Sequence, residues 1–527
     1  MLSLLLACSE PAPVVLLVSW DTVRWDHVGG GATPVLDGLA AEGVSFTEAR
    51  TTCPVTLPAH ASMLTGRSVA HHGARMNGSY VLDPSVPTLG EAFQDAGWAT
   101  GGFVSASVLA ERYGLARGFD RYDDTLDDPR VARPGSSRHG DRTVASALDW
   151  LGQVPEDQPA FVFVHLYDPH LPRDHAVEGL DPYRAEIHYA DARTGELLEG
   201  IAALERPVRV ALTSDHGESL GAHGEKTHGW FIYDTTMRVP LVLSGPGLGA
   251  PREVAGRASV IDLHATLLEW AGLPPVEADG MSLLGLDAVP ARPLAVESVM
   301  AALNFGAAPL FGVHDDEGLW ISSKRPEHIV DGQDIWAGDA AALAQRIDAQ
   351  DWAWPQEPSM ASSEEITAQL EALGYMTTES ALVDAGRDAK DLVELSGLTI
   401  EVWSVLREVP VARRVAVWEV LYAAVGPELV LERAPSVADL GLKAVSLREV
   451  QALDALGRPE EASQLLAVRG LDEALEARRR ERAEAMALET AIRARLEQVP
   501  DDEVALSDLA VVLRRLGRPD EAAALTP

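Results

Sequence analysis

The most constraining feature of this sequence is a set of short apolar runs, several of which end in an acidic residue or a histidine. Continuous apolar runs of this length fit strands of a parallel sheet that is buried on both faces. Helical patterns lie between the runs, for example in TPVLDGLAAEGV. Strands that alternate with helices predict an α/β domain with a largely parallel sheet. The runs are VVLLVSWD, ATGGFVSA, AFVFVHLYD, VRVALTSDH and VPLVLSG.

The charge balance excludes one class of partner. The 527 residues include 80 Asp and Glu against 43 Lys and Arg, which gives a net charge of -37. Nucleic-acid binding needs clustered Lys and Arg for the phosphates, so we expect no nucleic-acid partner. An anionic substrate would have to be held by a metal or by a local basic pocket, because the overall field repels it.

The first residues, MLSLLLACSEPAP, have two interpretations. Leu5–Cys8 resembles the cleavage box of bacterial lipoproteins, which predicts a lipidated Cys8, membrane attachment and a location in the cell envelope, periplasmic or on the outer surface. A complete signal has a basic segment and a longer apolar stretch, whereas the first basic residue here is Arg24. The alternative is a frayed apolar tail. We assign residues 1–13 to this signal remnant and a linker.

The region after about Pro355 changes character. SSEEITAQLEALGYM predicts a helix that closes a first domain at residue 376, and residues 377–527 are rich in Ala, Leu, Glu and Arg. Within them, REVQALDALGRPEEASQLL and LSDLAVVLRRLGRPDEAAAL resemble each other as helix–turn–helix repeats of the tetratricopeptide type do. Gly457 and Gly517 are 60 residues apart, which does not fit the usual period of about 34 residues. We predict a helical, repeat-like domain that either binds a protein partner or is an acidic bundle without one.

Acidic residues and histidines follow three of the predicted strands. They are Asp21, the pair Asp168 and His170, and the pair Asp215 and His216. Ligands of open α/β sheets bind beyond the carboxyl ends of the strands, so these groups can converge there. Carboxylates and imidazoles bind divalent metals, which predicts a metal site. The alternative for each Asp is a helix cap.

The stretch TTCPVTLPAHASMLTGR supplies a nucleophile. LPAHASMLTG predicts a helix with Pro58 in its first turn, where proline is tolerated, so Thr56 lies at the helix N-terminus. Free amides and the helix dipole favour an anion there. A hydroxyl beside a divalent metal loses its proton more readily and becomes a competent nucleophile. The alternative is that Thr56 is only the N-cap.

Together these segments resemble the sulfatases of the alkaline-phosphatase superfamily. The match starts in the block from VVLLVSWD to HHGARMNG, and FVHLYDPHLP, TSDHGESLGAHGEKTHG and YDTTMRVPLVLSGPG follow in the family's order. LEALGYM resembles the closing segment of bacterial members, some of which have tetratricopeptide-like tails. The resemblance implies a sulfatase-like catalytic domain over residues 14–376, an α/β sandwich with a mostly parallel central sheet.

The nucleophile position departs from this family. Sulfatases carry Cys/Ser-x-Pro-x-Arg ten residues before the Gly of Leu-Thr-Gly, and they oxidise the Cys or Ser to formylglycine. Counting back from Gly66 gives Thr56, with Pro58 in place and His60 instead of the arginine, while Cys53 is out of register. Cys53 is therefore predicted to be a small buried residue. Oxidation of threonine would give a ketone, so we expect no formylglycine.

The resemblance implies roles for the matching residues. The implied metal ligands are Asp21, Thr56, Asp215 and His216, and zinc or manganese is favoured over calcium because Trp20 and Thr22 flank Asp21 where sulfatases often have a second Asp. The implied catalytic residues are Thr56 as nucleophile, His170 as general acid, and His228, which binds the substrate anion or joins Asp168 or His170 at a second metal. The implied substrate contacts are Asn77 and His60.

We therefore predict a metal-dependent hydrolase of small-molecule, glycan-linked or lipid-linked anionic esters. Phosphate monoesters, diesters or phosphonates are favoured over sulfates, since a threonine nucleophile resembles the phosphoryl-transferring branches of the superfamily. One alternative is a serine esterase, because GESLG at 217–221 matches Gly-x-Ser-x-Gly, although no helix pattern follows it. The other is an inactive sulfatase-like scaffold whose helical tail binds a protein.

Overall fold

The computed structural model describes residues 11–128, 130, 136–305, 307–350, 388–395, 487–496, 502–515 and 521. The chain forms two compact units, Met1–Ile400 and Glu401–Pro527. Cys8, the helix predicted to end at residue 376, and the turns at Gly457 and Gly517 lie outside the described residues, so the lipid anchor, the boundary at 376 and the repeats stay predictions. No helix in the described ranges is long and apolar enough to cross a membrane.

The first unit contains an eight-stranded sheet of order β4-β3-β5-β1-β6-β7-β2-β8 and a five-stranded sheet of order β13-β12-β11-β10-β9. The strands are β1 Val14–Trp20, β2 Val44–Arg50, β3 Ala99–Phe103, β4 Arg121–Asp123, β5 Ala160–Leu166, β6 Val208–Ser214, β7 Leu241–Ser244, β8 Arg252–Ser259, β9 Leu294–Ser298, β10 Leu310–Asp315, β11 Gly318–Ser322, β12 Glu327–Val330 and β13 Gln333–Asp334. The helices are α1 Pro34–Glu42, α2 Thr56–Thr65, α3 Val69–His72, α4 Leu89–Asp95, α5 Gly140–Leu151, α6 Pro182–Ala203, α7 Asp234–Met237, α8 Asp262–Ala271, α9 Met300–Phe305 and α10 Ala340–Asp348. Short 3-10 helices occupy Trp25–His27, Ser107–Leu109, Glu111–Tyr113, Ala222–Gly224 and Ala389–Leu395.

The large sheet confirms the predicted α/β class. Its pairs are parallel except for those of β7, which runs antiparallel to both β6 and β2. The five apolar runs named above form β1, β3, β5, β6 and β7. The small sheet is antiparallel throughout its described pairs.

Helices cover both faces of the large sheet. On one face, Val14, Leu16 and Val18 of β1 pack with residues of α1, α5 and α6. On the other face, Val15 and Leu17 pack with residues of α2, α4 and α8. Alternate residues of a strand point to opposite faces, so a continuous apolar run is what a strand covered on both sides requires.

The α2 face of the sheet becomes polar towards the carboxyl ends of the strands. Ser19 of β1 continues the alternation of Val15 and Leu17, and it is in register with His165 of β5 and Thr213 of β6. All three polar side chains are fully buried. Buried polar groups need partners. Ser19 Oγ lies 2.9 Å from His60 Nε2 of α2, His165 Nε2 lies 3.2 Å from Asp21 Oδ2, and the Thr213 hydroxyl donates to the carbonyl of Pro240 at 2.8 Å.

Helix α2 begins at Thr56 and ends before Gly66, which has a φ of 68°. A Cβ at Gly66 would lie 2.9 Å from the Cβ of His264, so both the left-handed backbone and the close packing favour glycine there. Every residue of α2 is buried. The helix is thus fixed between the sheet and α8, with its first turn at the polar end of the sheet.

The second unit is described only in part. Helix Glu503–Arg515 contributes Ala505, Leu509 and Leu513 to an apolar cluster that also contains Ile492 of the helix 487–496. This part of the predicted helical domain is helical. The repeat pattern itself stays a prediction.

Candidate active site

Two buried carboxylates lie where adjacent parallel strands of the large sheet end. Asp21 follows β1 and Asp215 follows β6, and the last residues of these strands, Trp20 and Ser214, are in register. Asp21, Asp215 and the adjacent His216 are 0% exposed. Each of the three offers a ligand atom, and these atoms lie within 4.8 Å of one another.

The hydrogen bonds around these three residues leave electron pairs directed to a common centre. One oxygen of Asp215, Oδ1, accepts the backbone amides of Thr22 at 3.1 Å and His216 at 2.7 Å. Asp215 Oδ2 and Asp21 Oδ1 are buried and accept no hydrogen bond. The Nδ1 of His216 lies 3.0 Å from the carbonyl oxygen of Gly217. Because a carbonyl can only accept, Nδ1 carries the hydrogen and Nε2 has a lone pair. The Nε2 atom lies 3.4 Å from Asp215 Oδ2.

This donor set fits a divalent metal. Burial raises the pKa of Asp21 to about 8, an effect that the charge of nearby Glu218 adds to and that of His228 opposes. Burial, and then the charge of Asp21, raise the pKa of Asp215 well above its usual range. Burial also lowers the pKa of His216 well below its usual range, which keeps the imidazole in the neutral form that binds metals. A cation between the two carboxylates would offset the cost of burying both charges.

A second group of possible ligands, His60, His165 and Asp215, shares one residue with the first. The two nitrogens of His60 are already occupied, by the carbonyl oxygen of Thr56 at 2.8 Å and by Ser19 Oγ at 2.9 Å. The Nε2 of His165 lies 3.2 Å from Asp21 Oδ2. These two histidines therefore hold the backbone of Thr56 and the carboxylate of Asp21, and Asp21, Asp215 and His216 remain the better ligand set.

Thr56 is the first residue of α2 and is fully buried. The N-cap is Val55, with no side-chain cap, so the alternative that Thr56 serves as the N-cap is wrong. The Thr56 hydroxyl instead hydrogen-bonds Asp21, and its Oγ1 lies 3.5 Å from His216 Nε2. Sequence and structure thus agree in bringing this hydroxyl to the carboxylate and imidazole cluster.

Asn77 lies beside the same helix end. Its Oδ1 accepts the backbone amide of Leu57 at 2.8 Å, so it satisfies one of the free amides of the first turn. Its Nδ2 is buried without a hydrogen-bond partner. His60, which replaces the arginine expected at that position, contacts Thr56 through the backbone carbonyl.

Two more of the predicted residues line the cluster. The ring of His228 lies 4.5 Å from that of His216 and 5.0 Å from that of His170, measured between centroids. The Nδ1 of His228 is 3.2 Å from Glu218 Oε1. The Nδ1 of His170 is 2.9 Å from the carbonyl oxygen of Leu171, and its Nε2 is buried without a partner.

Other candidates lie elsewhere. Asp168 does not join the cluster: its carboxylate accepts the backbone amide of Gly140 at 3.0 Å and lies 3.3 Å from His139 Nδ1. Cys53 is 1% exposed, as a small buried residue should be, and burial raises its pKa well above the usual value. Ser219 of the GESLG motif donates to Glu225 at 2.8 Å, so its hydroxyl is occupied by a structural contact.

Sequence reasoning missed His165 and Glu218. A signal for His165 was available, because it is a polar residue inside the apolar run AFVFVHL, at the position that faces Ser19. Glu218 follows His216 by two residues, and its contact with His228 depends on the loop between them. The local pattern does not specify that contact.

The sulfatase family model matches residues 13–273. Among curated proteins, the chain is 26% identical over 344 residues to an uncharacterized sulfatase, YidJ, of Escherichia coli K12, which covers 50% of this chain and 69% of YidJ. The alignments with the first three curated relatives cover 62% to 69% of the relatives' own lengths.

Solved structures share the fold. Ps i-CgsB in complex with k-i-k-neocarrahexaose has a TM-score of 0.56 at 17% identity, covering 69% of this chain and 98% of that one. The phosphonate monoester hydrolase of Agrobacterium radiobacter has a TM-score of 0.51 at 21% identity, covering 64% and 94%. At these identities the likeness concerns the fold alone.

Proposed function

We propose that this chain, whose residues 13–273 match the sulfatase family model, is a metal-dependent hydrolase that uses Thr56 to cleave phosphate or phosphonate esters. The observation that carries the finer proposal is the buried Thr56 hydroxyl, which hydrogen-bonds Asp21 at the N-terminus of α2. Threonine cannot give the aldehyde of formylglycine, so its oxygen has to be the attacking atom itself.

Asp21, Asp215 and His216 would hold the metal, with Thr56 at its edge. A divalent cation bound there would lower the pKa of the threonine hydroxyl and stabilise negative charge on the ester. Two carboxylates, one imidazole and a hydroxyl favour zinc or manganese, with calcium as the third candidate.

The side chains of the chain itself would handle the remaining bonds and protons. Thr56 Oγ1 attacks phosphorus and gives its proton to Asp21, which accepts its hydrogen bond. The unpartnered Nδ2 of Asn77 would donate a hydrogen bond to a non-bridging oxygen of the ester. Water then cleaves the phosphothreonine and restores the hydroxyl.

His170 is our proposed proton donor to the leaving oxygen. Burial lowers its pKa well below the usual value, so the ring is neutral in the free protein. Its Nδ1 lies 2.7 Å from the hydroxyl oxygen of Tyr167 and 2.9 Å from the carbonyl oxygen of Leu171. An anionic ester beside it favours protonation of Nε2, so the ring gains the proton that it transfers only when substrate is bound. His228, oriented by Glu218, is the second imidazole that would contact the anion.

The substrate class and the cellular location are also proposals. Fold neighbours include a protein crystallised with k-i-k-neocarrahexaose and a phosphonate monoester hydrolase, which supports a glycan-linked or small anionic ester. We also propose that the helical second unit binds a protein partner, and that the protein is held in the cell envelope through Cys8.

The test is a panel of four p-nitrophenyl compounds: the phosphate, the bis-phosphate diester, the phenylphosphonate and the sulfate. The full chain is assayed after chelation and after addition of zinc, manganese or calcium. We expect turnover only with metal, and faster turnover of at least one phosphorus ester than of the sulfate. Faster turnover of the sulfate than of the phosphorus esters would contradict the proposed phosphate or phosphonate substrate. Equal rates before and after chelation would contradict the proposed metal dependence. Bound metal with no turnover of any compound favours an inactive scaffold.

A further inference from the structure

Two histidines and two carboxylates form a second cluster, separate from the active site. His139 directly precedes α5, Asp168 follows β5, His175 lies in the loop before α6, and Glu186 lies on α6. None of the four belongs to the ligand groups described above. We refer to them as the α5–α6 cluster.

Each histidine of the α5–α6 cluster is paired with its own buried carboxylate. His139 Nδ1 lies 3.3 Å from Asp168 Oδ1, and His175 Nδ1 lies 2.6 Å from Glu186 Oε2. The carboxylate side chains are 0% and 1% exposed, whereas the two histidine side chains are 14% and 26% exposed. An ionised carboxylate only accepts, so each Nδ1 carries a hydrogen. The Nε2 atoms are then the free ends of both rings.

The charges of the α5–α6 cluster do not balance with neutral histidines. Within the described parts of the chain, His139 is the only basic side chain in an ion pair with Asp168, and His175 is the only one in an ion pair with Glu186. Burying a carboxylate without a cation is costly. Backbone amides also donate to these carboxylates, that of Gly140 to Asp168 and that of His175 to Glu186. Amides are neutral, so a balancing charge has to come from protonated imidazoles or from another cation.

The geometry favours one shared cation over two charged rings. The ring centroids of His139 and His175 are 5.3 Å apart. Two imidazoliums at that distance repel each other. By contrast, two imidazoles bound to one tetrahedral metal, at about 2.0–2.1 Å from each nitrogen, have ring centroids about 5 Å apart. One divalent ion with two neutral imidazoles also neutralises the two carboxylates.

The hydrogen-bonding pattern is that of metal-ligating histidines. Such histidines commonly donate their other ring N–H to a carboxylate, which orients the ring and raises its basicity. The α5–α6 cluster shows this arrangement twice, on rings that approach each other.

We propose that His139 and His175 bind a divalent transition metal of the zinc class through their Nε2 atoms, with Asp168 and Glu186 as the carboxylates that orient them. Solvent completes the coordination, because the rings are partly exposed. The ion joins the start of α5 to the loop between β5 and α6. That loop also contains His170, so the metal fixes a segment that reaches the active site.

The competing arrangement is a metal-free double ion pair. Asp168 raises the pKa of His139, so protonation of this ring is the state against which the metal competes. The two arrangements differ in one measurable property, the number of metal ions that the folded protein retains.

The experiment counts zinc on the full chain. Purified protein is stripped with chelator, incubated with Zn²⁺ alone, desalted and measured by inductively coupled plasma mass spectrometry. His139→Gln and His175→Gln retain a donor for each carboxylate and remove the ligand. His188→Gln is the matched control, because His188 lies on α6, as Glu186 does, but its Nδ1 contacts the carbonyl of Ala32.

We expect His139→Gln and His175→Gln each to bind one equivalent of zinc fewer than wild type, and His188→Gln to bind the same amount. Equal zinc content in all four proteins overturns the proposal. If a variant does not fold, protection replaces substitution: Zn²⁺ should shield His139 and His175, but not His188, from diethyl pyrocarbonate in wild type. Equal modification with and without zinc also overturns it. The count is a difference between proteins, so it does not depend on whether the active site binds metal.

Discussion

Two substitutions at Thr56 separate the chemical role of its hydroxyl oxygen from the packing of its side chain. Thr56→Val keeps the branched shape of a fully buried side chain and removes the hydroxyl. Thr56→Ser keeps the hydroxyl and removes a methyl group. If Thr56 Oγ1 is the nucleophile, we expect the valine variant to lose at least about 10³-fold in kcat, or about 4 kcal/mol of transition-state stabilisation. The serine variant should stay within about tenfold of wild type.

Both variants are expected to lose little stability, so their activities can be compared directly. Removing one buried methyl group in Thr56→Ser costs about 1 kcal/mol. Thr56→Val removes the hydrogen bond to Asp21, and a buried acceptor left without a partner costs about 1–3 kcal/mol. Both changes are small against the total stability of a domain, about 5–15 kcal/mol. Urea denaturation of each variant checks this, so a large difference in kcat cannot come from unfolding.

The assay combines rates with a search for the intermediate. Trypsin cleaves after Arg50 and Arg67, which releases TTCPVTLPAHASMLTGR as one peptide. Acid quenching during turnover of a phosphate ester should leave a phosphoryl group on this peptide in wild type and none in Thr56→Val. A valine variant that retains the wild-type rate, or a phosphoryl group found on another peptide, would refute the assignment of Thr56.

Three further predictions concern the metal, the proton donor and an ion pair outside the site. Asp215→Asn should abolish the metal-induced rise in Tm, because it replaces a ligand oxygen that accepts no hydrogen bond; a full-sized rise would contradict the ligand set. His170→Asn should reduce kcat/KM more for phenyl than for p-nitrophenyl esters, since a poor leaving group needs the proton most; equal losses would exclude His170 as the acid. Glu297→Ala should lower the free energy of unfolding by about 3–5 kcal/mol, because it removes the buried carboxylate whose two oxygens lie 2.6 Å and 2.8 Å from the buried guanidinium of Arg75. Urea denaturation measures this loss, and a change below about 1 kcal/mol would contradict it.

The sequence predicts the central sheet well for a physical reason. A strand covered by helices on both faces needs apolar residues at every position, so the run itself identifies it. Strand direction has no such local signal, and the reversal of β7 could not be predicted. The small sheet was also missed; its outer strands β12 and β13 are short and mostly not buried. Short, half-buried strands leave no continuous run to recognise.

The site residues, too, could be predicted only where a buried strand fixes their position. Asp21 and Asp215 follow directly after buried strands, so their convergence could be predicted from the edge that parallel strands share. Asp168 also follows a buried strand, yet its carboxylate joins His139 and Gly140. The chain has left the sheet by that point, and the loop, which has no periodicity, decides the direction of the side chain. The roles of the converging residues remain predictions.

The electrostatics of the site lead to a last prediction, that anion and metal bind together. Asp21, Asp215 and Glu218 are buried carboxylates, and Asp21 experiences the charge of Glu218. Without a cation these acidic groups offer a phosphate anion no positive charge, whether they are ionised or protonated, as the raised pKa values of Asp21 and Asp215 favour. A cation bound among them would attract the anion. Coupling between two binding sites is reciprocal, so phosphate must raise the affinity for the metal by the same factor by which the metal raises the affinity for phosphate. A coupling free energy of about 1–3 kcal/mol corresponds to a factor of about 5 to 150.

Calorimetry of the full chain measures both sides of this coupling. Inorganic phosphate is titrated into chelator-treated and manganese-loaded protein, and manganese is titrated with and without phosphate. We expect phosphate to bind only the loaded protein with measurable heat, and the two factors to agree. Asp215→Asn is the control in which the coupling should vanish. Equal phosphate affinity with and without manganese would mean that protein groups alone hold the anion, and then the buried carboxylates could not form its binding site.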